Sequence, residues 1–119
     1  MPLIHFQQQF AEAVADGTKR QTIRLKRKRP IKPGDTLFLG TWEGKPYRSK
    51  VRRLRTEICA EVEEITLRAD GDFEVDGRVL GSIDRFVMAR ADGFSEPKEM
   101  LDWFLDTHSL PFHGVIIRW

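Results

Sequence analysis

The sequence predicts a small α+β domain, a curled β-barrel of short strands with two principal helices packed against it. Three observations carry that expectation. The apolar pattern opens with a helical period, passes to a period of two, and returns to helix before one last strand. The β segments are short and separated by turns rich in Pro, Gly and Asp. One of them carries a slip in its alternation of the kind a bulge produces, and bulges let a sheet curl.

Each element follows from its own stretch. In HFQQQFAEAVADG, Phe6, Phe10 and Val14 recur at i, i+4 and i+8 beside Ala13, one stripe of an amphipathic helix. Gly17 suits its C-cap, because glycine accepts the left-handed backbone that ends a helix. In RQTIRL, Ile23 and Leu25 alternate with Arg20, Thr22 and Arg24, a half-buried strand. KRKRPIKPGD reads as a loop, TLFLGTW as a buried strand, EGKP as a turn and YRSKVRRLRT as a cationic strand or loop. In EICAEVEEITL the alternation of Ile58, Ala60 and Val62 slips at Glu63-Glu64 before Ile65 and Leu67, which predicts the bulge. DGDFEVDGRVL reads as a hairpin turning at Asp76-Gly77. SEPKEMLDWFLDTH reads as the second helix, with Ser95 as N-cap, Pro97 in the first turn, and Met100, Leu101, Phe104 and Leu105 as its apolar face. LPFHGVIIRW closes the order as a strand.

With 119 residues, no Ser/Gly/Pro-rich linker and no internal repeat, residues 1–119 read as one domain. The composition, 40% apolar and 32% charged, is that of a globular protein. No apolar run approaches the ~18 residues a membrane helix needs, and MPLIHFQQQF lacks the basic flank and apolar stretch of a secretory leader. The single cysteine, Cys59, excludes an internal disulfide and a Cys-based zinc site, and fits a reducing, cytoplasmic compartment. Neither metal nor cofactor is expected. His5, His108 and His113 have no interpretable pairing and read as structural or surface histidines; Trp103 and Trp119 read as packing residues.

The net charge of +2 hides an asymmetry. Residues 1–56 carry 14 Lys/Arg against 4 Asp/Glu, and residues 57–119 carry 6 against 14. Six cations fall in residues 24–32 and five in residues 48–55. Runs of this kind neutralise phosphates, and Lys26, Arg27, Lys28, Arg29, Arg52, Arg53 and Arg55 are the candidates for holding a nucleic-acid backbone. Trp42 and Tyr47 lie between the runs, where they can stack on an unpaired base. The competing reading is two complementary halves that pair with each other or drive self-association.

The octapeptide GTKRQTIR joins the helix to the strand. On a strand, Arg20, Thr22 and Arg24 share one face, and a hydroxyl between two guanidinium groups suits a phosphate or carboxylate. Lys19 sits at the junction, where strand parity does not fix its direction.

Gly17, Lys19, Thr22 and Arg24 also fit Gly-x-Lys-x-x-Thr-x-Arg, and with the helix before them they resemble the opening of an ASCH domain, a branch of the PUA-like superfamily. IKPGDTLFLG, RADGFSEPKEMLDWF and FHGVIIRW resemble later segments of that family in order, so the resemblance touches most of the chain. It implies a PUA-like β-barrel with two helices around a basic cleft. It also implies binding of RNA or single-stranded nucleic acid, or action on a modified nucleoside. One branch hydrolyses the amide of N(4)-acetylcytidine with a Lys, a Thr and a Glu. Lys19 and Thr22 match the first two; Asp92 is the nearest acid to the third position, and Glu96 is displaced by several residues. In that reading Lys19 deprotonates Thr22, whose hydroxyl attacks the acyl carbon, while Arg20 and Arg24 lower the lysine pKa and stabilise an oxyanion. The two function classes expected are therefore a nucleic-acid-binding domain with a basic cleft and, as the alternative, a hydrolase, either amidohydrolase or ribonuclease-like.

Overall fold

The chain enters on a strand, not on the helix that its first apolar stripe predicts. In the computed structural model, which describes residues 2–45 and 48–119, Leu3–Phe6 form β1 and Gln8–Asp16 form α1. Ile4 and Phe6 point to one side of β1 and are buried there, so Phe6 belongs to a period of two and only Phe10 and Val14 to the helix. Gly17 does end α1, with φ +84°.

The remaining elements are β2 (Gln21–Arg24), β3 (Thr36–Trp42), β4 (Val51–Ile58), β5 (Glu61–Leu67), β6 (Phe73–Val75), β7 (Arg78–Val79), α2 (Ser82–Ala91), α3 (Pro97–Thr107) and β8 (Phe112–Arg118). The fold is α+β with three helices among the described residues, one more than the sequence predicts. α2 carries no inward stripe that would announce it: Ile83, Phe86 and Val87 are exposed. The hairpin at Asp76-Gly77 forms as expected, both turn residues having positive φ. Pro97 opens α3, but the N-cap is Glu96; the Ser95 hydroxyl instead donates to the Glu99 carboxylate. Leu105 of the predicted apolar face is exposed, and Trp103 packs in its place.

The strands make two sheets, β1-β3-β4 and β2-β8-β5-β6-β7. β1 runs parallel to β3; the other neighbours are antiparallel. Among the described residues no ladder joins β1 to β2, the facing edges of the two sheets, so the barrel expected from the sequence is not closed. The bulge is displaced too. β5 pairs with β8 residue for residue from Glu61↔Arg118 to Leu67↔Phe112, and the irregularity lies between Leu39 and Gly40, opposite β4.

The reason is that β5 and β8 each send apolar side chains to both faces of the sheet. Ile65, Leu67, Phe112 and Ile116 meet α2 and α3 in one core with Phe73, Met88, Met100 and Phe104. Ile117, Trp119 and Val62 turn the other way, toward a second core of Ile4, Phe6, Val14, Leu37 and Leu39. The apparent slip at Glu63-Glu64 is a change of which core takes the apolar side chain, with the alternation intact. None of the helices among the described residues is long and apolar enough to cross a membrane.

Candidate functional site

The seam between β1 and β2 opens into a cleft of about 370 Å³, bordered also by α1, α3 and the residues after α2. Two arginines stitch the seam. Arg24 donates to the backbone carbonyl of His5, and Arg27 to that of Leu3 at 2.8 Å. Side chains thus make the cross-links that a backbone ladder would make in a closed barrel, and leave room between them.

Lys19 lies in the short turn between α1 and β2 and points into this space, 3% exposed. Its Nζ donates to the backbone carbonyl of Asp92 and, at 3.2 Å, to Asp92 Oδ1. Asp92 is the C-cap residue of α2 and is 5% exposed. Gly93, with φ +100°, turns the chain so tightly that a Cβ there would stand 2.9 Å from the Phe10 ring. Burial lowers the Lys19 pKa, against the opposing pull of Asp92, and burial raises the Asp92 pKa, against Lys19, Gln21 and Arg24. Both groups are pushed toward their neutral forms, which suits a pair that passes a proton.

Aromatic rings enclose the pair. Lys19 Nζ is 5.1 Å from the Phe10 centroid, and Arg24 Cζ is 4.9 Å from that of Phe6. Trp103 and His108 on the α3 side and His5 from β1 complete the walls. Arg24, its pKa lowered by burial to about 10, also donates through Nε to Thr22 Oγ1 at 2.9 Å. Burial, then Arg24 and Arg27, lower the His5 pKa and favour its neutral ring, whose buried Nε2 has no hydrogen-bond partner among the described residues.

The structure brings together Lys19, Thr22, Arg24, Arg27 and Asp92. No hydrogen bond among the described residues joins Lys19 to Thr22; the Thr22 hydroxyl is held by Arg24 instead. Arg20 does not line the cleft. β2 begins one residue after it, and its Nε donates to the Trp119 carbonyl at 3.1 Å. Glu96 is exposed at the start of α3 and is also outside the lining. Trp42 stands one ring back, its centroid 4.5 Å from that of His5. Tyr47 lies outside the described residues.

Of the two cationic runs the first contributes Arg24 and Arg27 to the cleft, while the second does not reach it, because β4 is the far edge of its sheet, separated from β1 by β3. Arg52 is exposed there, Arg53 lies over the Phe38 ring at 5.2 Å, and Arg55 pairs with Glu57 at 2.7 Å beside the end of α1. Lys26 pairs with Glu64 on the surface, while Lys28 and Arg29 are exposed in the loop. Sequence reasoning missed His5, Phe6, Phe10, Trp103 and His108 as cleft walls. Phe6 and Phe10 were signalled only as apolar, and nothing in the spacing of the others points to one another.

No group of three or more His, Cys, Asp or Glu among the described residues is arranged to hold a metal ion. A search of protein-family models, of curated proteins and of solved structures finds no match to this chain.

Proposed function

We propose that this chain is an ASCH-like, PUA-related domain that takes one unpaired base of an RNA or other single-stranded nucleic acid into the seam cleft. The observation that carries this reading is the buried Lys19–Asp92 pair set among the rings of Phe6, Phe10 and Trp103. Rings stack on any base, and a fixed amine, carboxyl and guanidinium can read a base edge. The volume lies at the small end of ligand sites, sized for one base or nucleoside rather than a duplex. Two sheets stitched at one seam by arginines are what a PUA-like barrel opened along one line would give. The cations outside the cleft, on the loop and on β4, supply a surface for flanking phosphates.

A titration of single-stranded RNA at several salt concentrations tests this reading. Affinity should fall steeply with salt, and tryptophan fluorescence should change on binding and change less in Trp103→Phe. A flat salt response together with an unaltered Trp103 signal would sink the proposal.

A second reading is favoured by one specific feature: Asp92, not Glu96, reaches Lys19 and supplies the acid of a Lys/Thr/acid set. A neutral Lys19 would take the proton of Thr22, whose oxygen would then attack the acyl carbon of an N(4)-acylated cytidine with Arg24 beside the developing charge; the C–N bond would break, cytidine leaving with the proton returned from Lys19, and water would hydrolyse the acyl-threonine to acetate and free Thr22. This requires the Thr22 side chain to turn from Arg24 toward Lys19 when substrate binds. Incubation with N(4)-acetylcytidine decides it: release of acetate by the wild type, abolished in Lys19→Ala and Asp92→Ala, supports hydrolysis. No release at high protein concentration rejects that version and leaves the binding reading standing.

A further inference from the structure

The outer face of α2 is built unlike the rest of the surface. Ile83, Phe86 and Val87 are 77%, 48% and 58% exposed. At 100° per residue they form one arc with Arg90, opposite the buried arc of Met88 and Ala89. Single exposed apolar residues are ordinary, but three on one helical arc form a patch that needs a cover.

We propose that the cover is α2 of a second copy of this chain, packed antiparallel about a two-fold axis near Phe86 and Val87. The charges on the helix select this occupant. Asp84 lies in the first turn and Arg90 in the last. Both are exposed, and neither enters an ion pair among the described residues. In an antiparallel pair the first turn of each helix lies against the last turn of the other, so Asp84 of each copy meets Arg90 of its mate, twice by symmetry. The Arg90 stem covers Ile83 of the other copy while its guanidinium reaches the rim. A parallel pairing would set Arg90 against Arg90. Each copy keeps its cleft, because α2 contributes none of the cleft lining; Asp92 and Phe94, past its end, do so.

One short helix buries well under the ~800 Å² per partner of a standard interface, so the dimer is weak, with a dissociation constant on the order of 100 µM. Sedimentation equilibrium from about 10 µM to about 1 mM reads it. The wild type should shift from monomer toward dimer across that range. Asp84→Arg and Arg90→Asp should each weaken self-association about tenfold, since each sets like charges together at both ends. An equimolar mixture of the two variants should recover the dimer. The arginine introduced in the first variant then meets the aspartate introduced in the second, and the native Arg90 of the first meets the native Asp84 of the second. Val87→Glu should abolish association alone and in mixtures. All three positions carry exposed side chains, and thermal unfolding checks that each variant remains folded. A wild type that stays monomeric at about 1 mM overturns the proposal. So does a dimer that ignores both reversals, or a mixture that fails to restore what the single variants lose.

Discussion

Arg24 on β2 and Arg53 on β4 carry the same guanidinium and sit in opposite surroundings. Arg24 is half-buried over Phe6, donates to Thr22 and His5, and has its pKa lowered by burial. Arg53 is exposed over Phe38 on β4, in the other sheet and two strands from β1. In the sequence the two runs are about equally dense, six cations in residues 24–32 and five in residues 48–55, yet only the first contributes side chains to the cleft, where burial is deeper. Density of charge marks a surface; a gap between two sheet edges, filled by polar side chains that are already committed, marks a site. Each substitution below tests that contrast.

The largest effect is expected where burial is deepest. Asp92→Ala leaves the Lys19 amine buried with only a backbone carbonyl, and should cost about 3 kcal/mol of unfolding free energy in urea titration. Pairing Lys19→Met with Asp92→Leu should recover most of that loss, because an apolar pair of similar volume needs no compensation. If Asp92→Ala costs no more than Arg53→Ala, the contrast between the two regions collapses.

The same pair fixes the sign of a pH effect. Burial raises the folded pKa of Asp92 above its unfolded value, so the folded state holds that proton more tightly. The stability this group contributes is fully present below the unfolded pKa and is lost as pH rises through the folded pKa. Lys19 is the reverse: its folded pKa is lowered, so its contribution is present above the unfolded lysine pKa and is lost as pH falls through the folded one. Relative to Asp92→Asn, which does not titrate, the wild type should therefore gain stability on acidification from pH 7 toward pH 4. A difference that is flat or falls toward acid contradicts the assignment.

Gly93→Ala comes next. It forces a Cβ into the left-handed region at φ +100° and to 2.9 Å from the Phe10 ring, which should cost about 2 kcal/mol. Unlike a change on β4, it should also weaken ligand binding, because Phe10 must retreat into the cleft or drag Lys19 with it.

These positions also mark how far the sequence could be read. Gly17 after α1 and the Asp76-Gly77 hairpin were legible because each is local, a cap and a turn; the half-buried pattern expected over RQTIRL was not met, since Gln21, Thr22 and Ile23 are all buried and Leu25 is exposed. The pairing of Lys19 with Asp92 spans 73 residues and depends on where α2 ends, which no periodicity reports. The motif resemblance named Asp92 as the nearest acid; only the fold brings it to Lys19. β1 was hidden because Phe6 fits a helical stripe and a strand equally well, and parallel pairing with β3 decided for the strand. α2 was hidden because its apolar arc faces outward, and β5 suggested a bulge because two cores claim its two faces.

Arg24→Met should cost about 1–2 kcal/mol, since it removes the guanidinium that donates to Thr22 and His5 and lies over Phe6. Amide hydrogen exchange along β1 should quicken, because the seam loses one of its two stitches. Unchanged exchange at residues 3–6 would mean that Arg27 and the pairing with β3 hold β1 without it.

The smallest effect on the fold is expected at Arg53, and there the contrast is sharpest. Arg53→Ala removes an exposed side chain with one ring contact, so stability should stay within about 0.5 kcal/mol of wild type. If β4 serves as a phosphate surface, the slope of log affinity against log salt for single-stranded RNA should fall by about 1. Binding of a free nucleoside, which brings no chain of phosphates, should be untouched. Arg24→Met should do the reverse, lowering nucleoside affinity with little change in the salt slope. If Arg53→Ala removes nucleoside binding and Arg24→Met does not, the ligand sits on β4, and the buried pair at the seam is a structural device of the fold.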